Sequence, residues 1–167
     1  MKKCQNTNQY PGVQLSQSPV KMYTKMSSHE LLEVECPSCR TKQDIVIWHS
    51  INGTRDPVIK EQLFTGRINY FDCNSCDFEG FISAPLVYHD LEKKICANYV
   101  PVEYLDDEEY LKQSFTPEGK IRLDLPDDTA HGAGADSFWN AHIVFSMAEL
   151  IRYVLFRDRL AQVSEED

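Results

Sequence analysis

The strongest constraint on this chain is a pair of matched four-residue motifs, Cys36-Pro37-Ser38-Cys39 and Cys73-Asn74-Ser75-Cys76. A Cys-x-x-Cys turn presents two sulfurs to one ion from a tight loop, and two such turns complete the tetrahedral set of four thiolates that Zn²⁺ accepts. Strand-like sequence flanks each pair, so each is expected at the tip of a β-hairpin. The 33 residues between the pairs, Arg40 to Asp72, exceed the roughly 15 to 20 of the commonest zinc spacing, and a short helix inserted between the hairpins accounts for the excess. The expected cofactor is therefore a structural Zn²⁺ held by Cys36, Cys39, Cys73 and Cys76. The competing readings, small buried hydrophobes or one redox-active pair, make the match between the two motifs a coincidence. Cys4 and Cys96 have no partner at ligand spacing and are read as ordinary thiols.

The residues around the cysteines give the elements. Leu32, Val34 and Cys36 alternate with Glu33 and Glu35, the period of a half-buried strand, and Ile45-Val46-Ile47-Trp48 reads as its return. Asp56-Pro57 starts a short helix that Gly66 stops. Arg67 to Asp72 and Phe78 to Ile82 form the second hairpin, and Leu86 to Tyr88 with Ile95 to Val100 a third, across a charged turn. Asp106 to Phe115 is expected to be a short acidic helix, its first residues suited to the positive N-terminal dipole. Ile121, Leu123 and Leu125 alternate as one more strand. Asp136 or Ser137 is placed to cap a final helix from Phe138 to about Leu160, apolar over more than half its circumference, which must pack on its own sheet or on a partner.

The predicted organisation is thus a flexible basic arm over 1–28, a β-rich, zinc-ribbon-like domain over 29–125, a Gly- and Asp-rich linker over 126–136, and a helix over 137–162. The fold class is α+β: an antiparallel sheet built on two Cys-x-x-Cys hairpins, with a short inserted helix and a long C-terminal helix.

The chain resembles the CpXC-domain proteins of bacteria and archaea, a family without an assigned activity. The residues that carry the likeness are Glu35-Cys36-Pro37-Ser38-Cys39, Trp48 with Ser50-Ile51-Asn52, Asp56-Pro57, Leu63 with Gly66, Cys73-Asn74-Ser75-Cys76, and Tyr88-His89-Asp90. Glu149-Leu150-Ile151 and Phe156 to Leu160 look like the family's closing helices, so the likeness spans about residues 29 to 160. It departs at Arg40 and Asp77, where the family favours Gly, and at Asn74, where the second motif lacks the proline of the first. Only Gly takes a left-handed conformation freely, so Arg40 is expected to carry strain there. The resemblance implies no reaction.

Other chemistry finds little support. His49, His89 and His142 have no second His at the spacing of a His-Glu-x-x-His protease. The zinc deaminase signature fails as well, because proline lies inside the cysteine pair and four thiolates leave no position for water. Tyr88-His89-Asp90 sets a carboxylate beside an imidazole, but neighbours on a strand point to opposite faces. No phosphate-binding glycine loop occurs. The acidic run Asp106 to Glu109, with Glu103 before it, reads as a solvated helix start, with a docking face or a cation site as the alternatives.

Charge narrows the partners. Seventeen basic residues against twenty-six acidic ones give a net charge of −9, which argues against non-specific nucleic-acid binding, since that attraction comes from Lys and Arg. Residues 1–28 carry +4 and residues 84–136 carry −7. The apolar stretch from Phe138 to Phe156 is broken by His142, Glu149 and Arg152, and no apolar run follows Lys2 and Lys3, so neither a membrane span nor a signal peptide is expected. A cytoplasmic location follows, where cysteines stay reduced. The leading expectation is a non-enzymatic, zinc-stabilised interaction module that meets a protein partner or a second copy through its C-terminal helix. The alternatives are an acidic regulator of transcription or of a nucleic-acid enzyme acting by protein contact, and an enzyme using His89, Asp90 or His49.

Overall fold

A computed structural model describes residues 27–122 and 141–164. The chain runs β1 (Ser28–Glu35), β2 (Lys42–Asn52), α1 (Pro57–Phe64), β3 (Tyr70–Asp72), β4 (Glu79–Phe81), β5 (Leu86–Asp90), β6 (Ile95–Tyr99), a 3-10 turn (Val102–Asp106), α2 (Glu108–Ser114), β7 (His142–Val144) and α3 (Met147–Ser164). It is an α+β fold. Five strands form one sheet in the order β1-β2-β5-β6-β7, and β3 and β4 pair with each other alone.

Two expectations need correction. The main sheet is mixed: β1–β2 and β5–β6 are antiparallel hairpins, but β2–β5 and β6–β7 are parallel. Parallel neighbours require a long crossover. α1 and the β3–β4 hairpin supply the first, and residues 100–141 supply the second.

The final helix begins at Met147, and His142–Val144 is a strand. An apolar run of this length suits either state, and the open edge of β6 decides in favour of pairing. The helix start was nevertheless written in the sequence. Ser146 and Glu149 form a capping box: the Glu149 N–H donates to Ser146 Oγ at 3.2 Å, and the Ser146 N–H donates to Glu149 Oε2 at 3.1 Å.

Smaller differences are local. Asp56 precedes α1 as expected, yet its carboxylate accepts from the Ser27 N–H and hydroxyl at 2.8 and 2.5 Å rather than capping the helix. Ser28 already belongs to β1. The remainder of the arm, Leu123 and Leu125 of the last predicted strand, and the 126–136 linker lie outside the described residues. Ile121 makes an isolated bridge to Phe115.

The main core lies between the sheet and the helices. Ile51, Leu63, Leu86, Tyr88, Ile95 and Leu150 are each fully buried within it. Tyr88 also explains Gly53, because a Cβ there would lie 2.0 Å from the Tyr88 hydroxyl. A second, smaller core gathers Val34, Ile47, Phe71, Ile82 and Ala84 around Cys36 and Cys73. Among the described residues no helix is long and apolar enough to cross a membrane.

Candidate metal centre

β1 ends at Glu35, and the first cysteine turn follows at once. The Cys36 N–H donates to Thr41 O at 2.9 Å and the Arg40 N–H to Cys36 O at 2.8 Å, closing the loop. The closure puts Arg40 at φ 61, the left-handed conformation that the sequence led one to expect there. Asp77 does not adopt it. In the second turn the Cys73 N–H donates to Phe78 O at 3.0 Å, joining the ends of β3 and β4.

The two turns face each other. Cys36 Sγ lies 3.7 Å from Cys76 Sγ, and Cys39 Sγ lies 3.6 Å from Cys73 Sγ. All four sulfurs fall within 4.8 Å of one another. Sulfurs about 2.3 Å from a central ion sit about 3.8 Å apart along a tetrahedron's edge, so these two pairs match that edge and the cluster is compatible with a metal ion. These separations exceed a disulfide bond of about 2.05 Å, and the four are free thiols. Cys36 and Cys73 are buried, Cys76 is half-buried and Cys39 is exposed.

The surroundings act on Cys39 and Cys76 in opposite directions. The Ser75 N–H donates to Cys73 Sγ at 3.4 Å. The Thr41 hydroxyl and backbone N–H hold Cys39 down, to about 6. At Cys76 the Phe78 N–H pulls in the same direction, but burial and the neighbouring sulfurs prevail and push it up to about 12. Crowded thiols thus resist shedding every proton, a resistance that a divalent cation at their centre would remove.

Two side chains outside the motifs hold the turns in register. Gln43 of β2 accepts the Asn74 N–H through Oε1 at 2.9 Å and donates through Nε2 to Asp72 O at 2.8 Å. Asn69 accepts the Trp48 N–H at 2.7 Å and donates to Trp48 O at 3.1 Å, standing in for a missing strand neighbour. Asn69 sits at φ 52, and Asn is among the few residues that tolerate this region. Its place in a turn was the available signal. Gln43 gave none.

The family model described as CpXC protein matches residues 34–161. The chain belongs to the CpXC family. Searches of curated proteins and of solved structures each gave no match.

The remaining predicted residues of this CpXC chain are dispersed. His49 Nε2 lies 3.0 Å from Glu30 Oε1. His89 is fully buried, opposite Cys96 in the β5–β6 register. Burial pushes its pKa down to about 4, against the opposing pull of Asp90 and Asp56. Asp90 accepts the Thr54 hydroxyl at 2.8 Å and the Lys93 N–H at 3.1 Å, with Lys60 Nζ at 3.8 Å. Lys60 and Lys93 then reach Asp158 of α3 at 2.6 and 2.9 Å. This charge network ties α1, the β5–β6 turn and α3 together, and Asp158 is held below the usual carboxylate range although burial opposes it. His142 stacks on Tyr153 at 4.2 Å. Cys96 is buried, which pushes its thiol up to about 12. Glu103, Asp106, Glu108 and Glu109 are exposed, while Asp107 caps α2 by accepting the Tyr110 N–H at 2.9 Å.

Proposed function

We propose that Cys36, Cys39, Cys73 and Cys76 hold one structural Zn²⁺, and that the protein is a zinc-stabilised, non-enzymatic interaction or regulatory module. The observation that carries the reading is the sulfur spacing, 3.6 and 3.7 Å across the two turns, close to the edge of a zinc–thiolate tetrahedron. Two hairpins that meet at their cysteine tips make the arrangement zinc-ribbon-like. Four sulfurs fill the shell, so the ion's contribution is folding energy. Zinc is favoured over hard cations because no carboxylate or carbonyl joins the donor set.

Burial of His89 and Asp90 supports a packing role over catalysis, since a general base must reach a substrate proton. The interaction reading draws on α3, where Leu155, Phe156, Leu160 and Val163 are exposed although Leu150 and Val154 of the same helix are fully buried. The partner would be a second copy or another protein. The exposed acids from Glu103 to Glu109 favour a basic protein surface over nucleic acid.

The test is metal content and fold on one preparation. One zinc per chain is expected by elemental mass spectrometry, and removal by a chelator should lower the melting midpoint. A fully metal-free protein with an unchanged melting curve would overturn the metal reading. Multi-angle light scattering of the wild type and of Phe156→Asp addresses self-association, with a dimer expected only for the wild type if α3 meets a second copy.

A further inference from the structure

A cavity of about 450 Å³ opens far from the cysteines, between α2 and the β7 edge of the sheet. Val100, Leu105, Leu111, Phe115, Ile143 and Phe145 supply its apolar lining. Val100 is fixed: it is 1% exposed and its N–H donates to Val144 O at 2.9 Å. Leu105 and Phe145, by contrast, remain 44% and 46% exposed. Large apolar side chains facing an open concavity of this size are the usual lining of a small-molecule site, which holds about 300–1,000 Å³ and carries few polar groups.

Of the described residues that line the cavity, the charged ones, Lys112 and Arg122, are both basic, although the surrounding segment 84–136 is the most acidic of the chain at −7. Arg122 is anchored at the rim, where its N–H donates to Ser114 O at 2.7 Å and its Nε to Phe115 O at 2.7 Å. The terminal nitrogens of its guanidinium form the planar fork that matches a carboxylate. Lys112 Nζ meets Glu108 at 2.8 Å in an ion pair exposed on both sides, which an incoming anion displaces at little cost. Glu118, on the turn before Gly119, has its carboxylate held low first by the Thr116 hydroxyl and also by the charges of Lys120 and Arg122, and is not among the lining residues. Two cations beside a mainly apolar lining suit a singly charged headgroup on an apolar chain, and a carboxylate is the simplest group of that kind, matched by the guanidinium fork.

We propose that this cavity binds an amphipathic carboxylic acid, its apolar chain on Leu105, Leu111, Phe115 and Ile143 and its carboxylate between Lys112 and Arg122. The site is separate from the metal centre and does not depend on the reading of it.

Octanoate and its uncharged analogue octanamide are suitable probes, titrated calorimetrically into full-length, metal-replete protein. Octanoate should saturate one site per chain at submillimolar concentration, with octanamide at least about tenfold weaker because it forgoes charge-assisted hydrogen bonds. Lys112→Gln combined with Arg122→Gln should bring octanoate down to the affinity of octanamide. Leu105→Asp, at an exposed position, should remove binding of both while leaving metal content and circular dichroism unchanged. No saturable octanoate binding, equal affinity for the two probes in the wild type, or undiminished octanoate binding in the double variant would each overturn the proposal.

Discussion

At one end of the molecule Val34, Ile47, Phe71, Ile82 and Ala84 close around Cys36 and Cys73; at the other Leu63, Leu86, Tyr88, Ile95 and Leu150 fill the space between sheet and helices. The first core belongs to a hairpin pair in which β3 and β4 span three residues each. A two-stranded unit of that size is not stable alone. It is held to β2 by the Gln43 and Asn69 hydrogen bonds and, in the proposed function, by a bound ion. The second core has a long helix across its sheet and a buried charge network at the helix's far end. The difference teaches that one chain can stabilise two regions by unlike means: apolar area where enough residues converge, coordination where they do not.

The sharpest way to break that contrast is Cys73→Ser. Structural zinc contributes on the order of 10 kcal/mol, so this variant should lose the ion and unfold the β3–β4 region. Hydrogen exchange should show protection vanishing over 70–82 before it falls over 86–99. Equal loss in both regions would mean that the cores are one cooperative unit.

Leu150→Ala attacks the opposite end. Its side chain is fully buried, so truncation should cost about 2–5 kcal/mol in denaturant unfolding, with the metal-to-chain ratio unchanged in the folded protein.

Acid separates the regions by a different route. Burial lowers the pKa of His89 from 6.5 to about 4, so the unfolded chain binds more protons than the native one between these values. Stability from this residue is therefore complete above about pH 6.5 and falls as pH drops toward 4, by about 3 kcal/mol at most. His89→Gln should flatten the pH dependence of unfolding over that window, whatever its effect at neutral pH. An unaltered slope would refute the assignment.

The smallest effect sharpens the picture of the first turn. Arg40 holds φ 61, and Arg40→Gly should relieve the left-handed strain, raising the melting midpoint through a gain of about 0.5–1 kcal/mol after the added flexibility of the unfolded chain is offset. A lower midpoint would show that the Arg40 side chain makes a stabilising contact outweighing the strain.

Much of this was legible beforehand. The four cysteines, the two hairpins that carry them, the inserted helix after Asp56-Pro57 and the short acidic helix before Phe115 follow from turns and local patterns that involve only a few neighbouring residues, although the cap of that helix at Asp107 was not read. The misreadings have a common origin. His142–Val144 lies in an apolar run that suits helix or strand, and only the free edge of β6 made it a strand. Ser146 and Glu149 form a capping box readable as Ser-x-x-Glu, but it lies inside the helix expected from Phe138. That Tyr88, His89 and Asp90 are all buried is not written in the three residues themselves, which say nothing about what will cover them.

What the sequence determined by itself is the cysteine constellation and its hairpins, because a Cys-x-x-Cys turn fixes its two sulfurs through local backbone geometry. The tertiary structure alone decided that β5 would lie parallel to β2 and β7 parallel to β6, that Gln43 and Asn69 would bind the small hairpin to β2, and that His89 would be sealed in the fold. Those outcomes depend on which strand edges and apolar faces remain unpartnered when distant segments meet, and no short stretch of the chain encodes that.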